Sequence, residues 1–299
     1  MVRSPLQRTH AVVILHGDPP IPRWVDVLAQ ATVLTLVVND PGPGRYLHVP
    51  AGARLLVNER PRGFAANVNA AFEVAIREAP EFVLCANFDL ALEISVFERL
   101  LDALVAHPEA GIAGPVLSDA TGAPVFSVGT RPTPVKEFLR AAGLRGARSL
   151  RLQRAVLRHT PGWRQRNATD GIRLLAPQEY LPWTAVAIRT SAFAMVGPLD
   201  ERFELYAEDV DWGVRLAELG GHALLVDVGR VVHAERVTRN PRTSAVYEVS
   251  QRRLHEKYGS LQAAAWQSRG LAWRRLPPLR AATEALDWAV IDGRRGLHD

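Results

Sequence analysis

Short apolar runs alternate with amphipathic stretches over the first 120 residues. AVVIL (11–15), TVLTLVV (32–38), ARLLV (53–57), EFVLCA (81–86) and AGIAGPVL (110–117) have the length and composition of buried strands. PPIPRWVDVLAQA, between the first two, reads as a proline-started helix. GFAANVNAAFEVAIREA (63–79) places Phe64, Val68, Ala71, Phe72, Ala75 and Ile76 at helical spacing, and ISVFERLLDALVAH (94–107) is a further amphipathic helix. Strands alternating with helices predict right-handed βαβ units, an α/β fold and a mostly parallel sheet.

The alternation stops near residue 120. Residues 130–175 are irregular with helical pieces, and LPWTAVAIRTSAFAMVG (181–197) reads as a strand followed by a short helix. A helix is expected from about Glu208, one or two strands over HALLVDVGRVVHA (222–234), and helix from Pro241 onward. The expected organisation is one α/β domain over 1–240, with 130–175 as an insertion, and a basic helical extension over 241–299.

The helix at Glu208 poses the sharpest question. At 100° per residue, Glu208, Asp211, Arg215 and Glu218 share an arc of roughly 80°, which reads as a solvated stripe with an Asp211–Arg215 pair at i,i+4. Asp209 projects to the opposite arc with Trp212, Gly213 and Leu216. A carboxylate on that side is either satisfied by backbone N–H groups or does chemistry, and the helix alone leaves both readings open.

Composition narrows the setting. Hydrophobic residues make up 47% of the 299 and charged residues 22%, enough apolar mass for a sizeable core. No apolar run reaches the length of a membrane span, and MVRSPLQRTH lacks the apolar core of a signal peptide. The single cysteine, Cys85, sits in an apolar run and reads as a small buried hydrophobe. These features set the expectation of a cytoplasmic protein. Residues 131–173 hold eleven Arg or Lys against two acids, so this segment suits an anionic partner. A nucleic-acid reading lacks zinc ligands, stacking motifs and a reading helix, and nucleic acid is not an expected partner. The tail, with Trp266 and Trp273 among arginines, suits peripheral contact at the inner face of a membrane or packing against the protein.

In an open parallel sheet, ligands bind at the carboxyl ends of strands. Three such ends are polar here: His16-Gly17-Asp18, Asn39-Asp40 and Asn87-Phe88-Asp89. No GxxxxGK[ST] and no GxGxxG is present, so a bound phosphate requires a metal ion or basic side chains. Asn87 and Asp89 offer the oxygen ligands preferred by Mg²⁺ or Mn²⁺, and His233, ending another apolar run, is a candidate to join them.

RPRGFAANVN, ANFDL, WTAVAIRTSAFAMVGPLDERFELYAEDVDWGVR and VVH occur in this order over about residues 10–235. The order resembles the family-2 glycosyltransferases of GT-A fold, especially their bacterial rhamnosyltransferase-like branch. LDERFELYAEDVDWGVRL is the most specific part of the likeness. The resemblance implies an inverting hexosyltransferase of cell-wall or surface-polysaccharide biosynthesis. It implies a dTDP-, UDP- or GDP-sugar donor, rhamnose as the expected sugar, a saccharide or polyprenyl-diphosphate-linked acceptor, and a divalent cation, Mg²⁺ or Mn²⁺. It implies Asp209 as general base with Glu208 beside it, and Asp89 and His233 at the metal. His16, Asn39, Asp40, Gly63, Phe64, Asn69, Asn87 and Asp89 would form the donor side, and Trp183, Thr184 and Asp200 the acceptor side. The sequence departs from the family's pattern at Asn39, Pro61, Thr184 and Pro198, and at the His16-Gly17-Asp18 end of the first strand, which bears on sugar and base identity.

Overall fold

The computed structural model describes residues 3–17, 20–39, 49–122, 127–131, 171–233 and 241–258. Asp40, nearly all of the basic 130–175 segment and the tryptophan-containing tail lie outside the described residues. Compactness divides the chain into two units, residues 1–131 with 167–251 and residues 132–166 with 252–299. The first carries the sheet.

The strands are β1 (Thr9–His16), β2 (Val33–Asn39), β3 (Arg54–Asn58), β4 (Phe82–Asn87), β5 (Leu90–Ala91), β6 (Ala110–Pro115), β7 (Gly129–Thr130), β8 (Ile172–Leu174), β9 (Glu179–Tyr180), β10 (Ala185–Arg189), β11 (His222–Val226) and β12 (Val232–His233). The helices are α1 (Arg23–Ala31), α2 (Phe64–Ala75), α3 (Ile94–Ala106), α4 (Thr190–Val196), α5 (Glu208–Glu218) and α6 (Pro241–Lys257). The central sheet has the order β3-β2-β1-β4-β10-β6-β11-β8. Strands β1 to β4 pair parallel, as do β6 and β11, so the sheet is mostly parallel as the alternation predicts. Strand β10 runs against both β4 and β6. That reversal pairs Ala185 with Ala86 and sets Thr184 beside the carboxyl end of β4, where the Asn87 N–H donates to the Thr184 carbonyl at 2.9 Å.

Alternation along β1 divides the core. Ala11, Val13 and Leu15 face a layer containing Trp24, Leu28, Phe97 and Leu101 from α1 and α3. Val12 and Ile14 face the other layer, which holds Phe72 from α2, Phe193 from α4 and Trp212 from α5. Cys85 is fully buried in that second layer, and burial pushes its thiol up to about 12, consistent with a packing role.

The start of α2 locks onto a distant stretch, residues 199–204. The Phe64 N–H donates to the Glu204 carbonyl at 2.9 Å. Asn69 donates to the Leu199 carbonyl and accepts from the Leu199 N–H, both at 2.9 Å, and also donates to Glu201 at 3.0 Å. A Cβ on Gly63 would lie 2.5 Å from the Glu204 carbonyl oxygen, so only glycine lets the two backbones approach this closely. Gly63 has an ordinary extended backbone, so space alone decides. Gly63→Ala is therefore expected to lower stability by about 1–3 kcal/mol, read as a reduced denaturation midpoint; an unchanged midpoint would mean that the two segments separate at little cost.

Candidate active site

The register of the parallel strands aligns their polar ends. His16 pairs with Asn39, Asn39 with Asn58, and Ile14 with Asn87, so β1 to β4 present one polar edge. Much of this edge is committed to the chain itself. Asn39 donates to the Arg62 carbonyl at 2.9 Å and accepts from the Arg62 N–H at 2.7 Å and from Asn58 at 3.1 Å. Asn58 also donates to the buried Asn67 at 2.6 Å. The amide of Asn39 thus fixes the loop that leads into α2. His16 is exposed, with Nδ1 3.4 Å from the Asn39 amide nitrogen.

Asp89 lies in the turn between β4 and β5. Strand β5 pairs antiparallel with β12, and this short ladder sets His233 opposite Leu90. The ladder is anchored by the Trp24 indole, which donates to the Leu90 carbonyl at 2.9 Å, and by the His233 N–H, which donates to the Ser118 carbonyl at 3.0 Å. Residues 144 apart in sequence thereby meet, with His233 Nε2 3.4 Å from Asp89 Oδ2. Asp89 Oδ1 is buried and has no hydrogen-bond partner. An orphaned buried carboxylate oxygen calls for an explanation. A carboxylate beside an imidazole fits a divalent cation that completes its shell with substrate phosphates and water. Among the described residues, no group of three His, Cys, Asp or Glu side chains could hold a metal ion, so other ligands would have to come from substrate or solvent.

Helix α5 begins at Glu208, as its pattern predicts, but its faces are not as expected. Glu208 and Asp211, assigned to a solvated stripe, are 5% and 0% exposed. Packing against the turn after α4 is what buries Asp211. Its carboxylate accepts from Arg215 Nε at 2.9 Å, while the same guanidinium donates to the carbonyls of Val196 at 2.6 Å and Pro198 at 2.7 Å. The i,i+4 pair is present, as a buried clamp rather than a surface contact. Glu218 alone of the four remains exposed.

Asp209 lines a narrow cleft with Tyr180, Trp183, Trp212, Gly213 and Leu216. Its Oδ1 accepts the Val210 N–H at 2.7 Å. Burial pushes Asp209 up to about 6, and burial followed by repulsion from Asp209 raises Glu208 well above the ordinary carboxylate range. Glu208 Oε2 is buried with no hydrogen-bond partner. Burial thus raises both neighbouring acids, and Asp209, at about 6, is still largely ionised at neutral pH. An ionised, partly desolvated carboxylate in a cleft can accept a proton from a hydroxyl.

The turn before α5 is strained. Tyr206 and Ala207 have φ of 68° and 72°, a left-handed conformation that costs about 1–3 kcal/mol per non-glycine residue. Ala207, in the capping position, supplies no side-chain cap.

Other expected site residues occupy distinct places. Trp183 is 3% exposed and packs edge-on to Trp212, with ring centroids 5.2 Å apart. It is core that also lines the Asp209 cleft, while the adjacent Thr184 joins that region to Asn87. Asp200 closes its own turn, accepting from Arg202 Nε at 2.9 Å and from the Arg202 N–H at 3.1 Å. Gly63, Phe64 and Asn69 form the junction with residues 199–204. Sequence reasoning missed Asn58 and Asn67. Asn67 lies within the quoted RPRGFAANVN stretch, and its helical phase relative to Asn58 becomes meaningful only once β3 is paired.

The sheet, with its reversed β10 and the Asp89 turn at the carboxyl end of β4, is a GT-A glycosyltransferase fold. The chain superposes on GalNAc-T7, solved with UDP, GalNAc and Mn²⁺, with a TM-score of 0.52 and 12% identity, covering 89% of this chain and 53% of that one. In sequence it is 31% identical over 169 residues to N-acetylglucosaminyl-diphospho-decaprenol L-rhamnosyltransferase of Mycobacterium tuberculosis, in both strain CDC 1551 / Oshkosh and strain H37Rv. The match covers 54% of this chain, which spans about half the length of these curated relatives. No family model matches the chain.

Two outcomes follow from α5. Because folding raises the pKa of Asp209, its ionisation in the folded state opposes stability above about pH 6, and the penalty disappears as pH falls toward the unfolded value. Asp209→Asn should therefore stabilise the protein at pH 8 by on the order of 2–3 kcal/mol, with the gain fading by pH 4.5 in denaturant titrations; a gain independent of pH would contradict the assigned burial effect. Arg215→Met should have the opposite effect, lowering stability by about 3–5 kcal/mol because the buried Asp211 carboxylate loses its guanidinium. A loss below about 1 kcal/mol would show the pair to be solvated.

Proposed function

We propose that the chain is an inverting glycosyltransferase that moves a sugar, with rhamnose as the favoured candidate, from a nucleotide-diphosphate donor to a hydroxyl of a saccharide carried on a polyprenyl diphosphate. The meeting of Asp89 and His233 at the carboxyl edge of the sheet, with a buried carboxylate oxygen left unpaired, is the observation that carries the reading. The 31% identity to the mycobacterial rhamnosyltransferase supports the choice of sugar and acceptor class. Cell-wall or surface-polysaccharide biosynthesis would be its setting. Among the described residues no helix is long and apolar enough to cross a membrane. In this reading the chain meets a lipid-borne acceptor peripherally, at the cytoplasmic face of the membrane.

In this reading Asp209 accepts the proton of the attacking hydroxyl as its oxygen bonds to the anomeric carbon. The bond from that carbon to the diphosphate oxygen breaks on the opposite face, and the electron pair leaves with the nucleoside diphosphate. A divalent cation, Mg²⁺ or Mn²⁺, held by Asp89 and His233 would neutralise charge on that leaving group. The Asn87 N–H, donating to the Thr184 carbonyl, ties the start of β10 to the end of β4, two residues before Asp89. Glu208, raised by burial and then by repulsion from Asp209, sits beside the proton acceptor without lining its cleft. His16 and the loop at Gly63 and Phe64 would border the nucleotide.

The test pairs binding with turnover. UDP, dTDP and GDP are added with and without Mn²⁺ or Mg²⁺, and the melting temperature is followed, since a ligand of the native state raises it by mass action. One diphosphate should give a metal-dependent rise that Asp89→Ala abolishes; no rise with any nucleotide would defeat the proposal and favour a scaffold that has lost catalysis. Asp209→Asn should keep the rise while lowering kcat about 10²–10⁴-fold. For the parent, kcat/KM should fall with decreasing pH below about 6, as Asp209 becomes protonated.

A further inference from the structure

The turn that delivers Glu208 and Asp209 is held in an unfavourable conformation by a helix that the chemistry above does not use. Among the described residues, Ala79 is the remaining non-glycine position with positive φ, and it ends a helical turn, where left-handed geometry is ordinary. Tyr206 and Ala207 open a helix instead. Neither has glycine's freedom, and no side chain caps the helix at Ala207, so contacts from elsewhere must hold the turn.

Those contacts come from α6. Ser250 is 1% exposed, and its hydroxyl donates to the Leu205 carbonyl at 2.8 Å. The Tyr247 ring meets Tyr206 edge-on, with centroids 5.3 Å apart and planes at 73°. Tyr247 and Ser250 are three residues apart, on one face of α6, and lie within the compact unit that contains the sheet. The other end of the segment is held where Phe64 donates to the Glu204 carbonyl. A turn fixed on both sides transmits its geometry to the first residues of α5.

We propose that α6 is a positioning element of the active site: Tyr247 and Ser250 brace the left-handed Tyr206–Ala207 turn and so keep the Asp209 carboxylate in its place at the start of α5. The catalytic consequence rests on the assignment of Asp209 as base. The other titratable groups lining its cleft are Glu179, itself paired with Arg173, Tyr180 and His222, and Glu208 is its neighbour in sequence.

The test uses the full chain carrying Tyr247→Leu, Ser250→Ala or both, with Tyr247→Phe and Ser250→Thr as conservative controls. The double variant should lose about ten- to a hundredfold in kcat while the KM for donor stays within about twofold, as expected when a reacting group is misplaced and binding is intact. Both controls should recover most of the activity. A second arm needs no turnover: the difference in melting temperature between each background and the same chain with Asp209→Asn is followed from pH 4.5 to 8. In the double variant the gain at pH 8 should fall by half or more, because a released Asp209 regains water. If kcat stays within twofold and the pH-dependent gain is unchanged, α6 merely packs against the turn and the proposal is overturned. If the parent shows no turnover, or Asp209→Asn keeps it, the base assignment fails, and the melting arm alone decides whether the brace exists.

Discussion

A buried asparagine ties together two parts of the chain 130 residues apart. Asn69 both donates to and accepts from the backbone of Leu199, so the polar groups of each partner are satisfied in a low-dielectric interior. Leaving them unpaired would carry the desolvation cost of every group involved. The tie fixes where residues 199–204 run, and the close approach of Gly63 to Glu204 fixes how near they lie to α2. From Glu204 only three residues remain before α5 begins, too few to absorb a misplaced start. The chain therefore crosses to the helix through the strained Tyr206–Ala207 turn.

The first turn of α5 places three carboxylates in three environments. Asp211 is buried against Arg215, Glu208 is buried with an orphaned oxygen, and Asp209 lines a cleft and accepts the Val210 N–H. Negative charge at a helix N-terminus is favoured by the helix dipole, which offsets part of the burial cost. It does not remove it, since Glu208 and Asp209 are both raised. A site of this kind is less stable than one with neutral side chains, the usual relation between catalytic groups and stability.

The polar strand ends show a similar division of labour. Asn39 occupies a position where a nucleotide contact was expected, yet its amide holds Arg62 and Asn58 and supports the loop before α2. Asp89, ending in an unpaired oxygen beside His233, is arranged differently. At this edge the asparagines organise the protein, and the acid with its imidazole neighbour offers the ligand chemistry.

Periodicity and turn chemistry are local, so the longer strands and helices of the first 120 residues, the α/β class and the start of α5 at Glu208 were legible in the chain, while the short β5, β7, β8 and β9 were not. Helical phase is also local and set Asp209 apart from Glu208 and Asp211, but the two acids it assigned to solvent are more buried than Asp209; the order of motifs pointed to the GT-A fold. Burial depends on what packs against a face, so it took the folded packing to show that Glu208 and Asp211 leave solvent and that Arg215 reaches the carbonyls at the end of α4 and just beyond it. Strand direction depends on pairing partners far away in sequence, so only the fold reversed β10 between β4 and β6. The contact of His233 with Asp89 likewise arises from the pairing of two-residue strands β5 and β12, whose sequences are too short to announce a partner; the ladder exists because the surrounding sheet has already brought their backbones together.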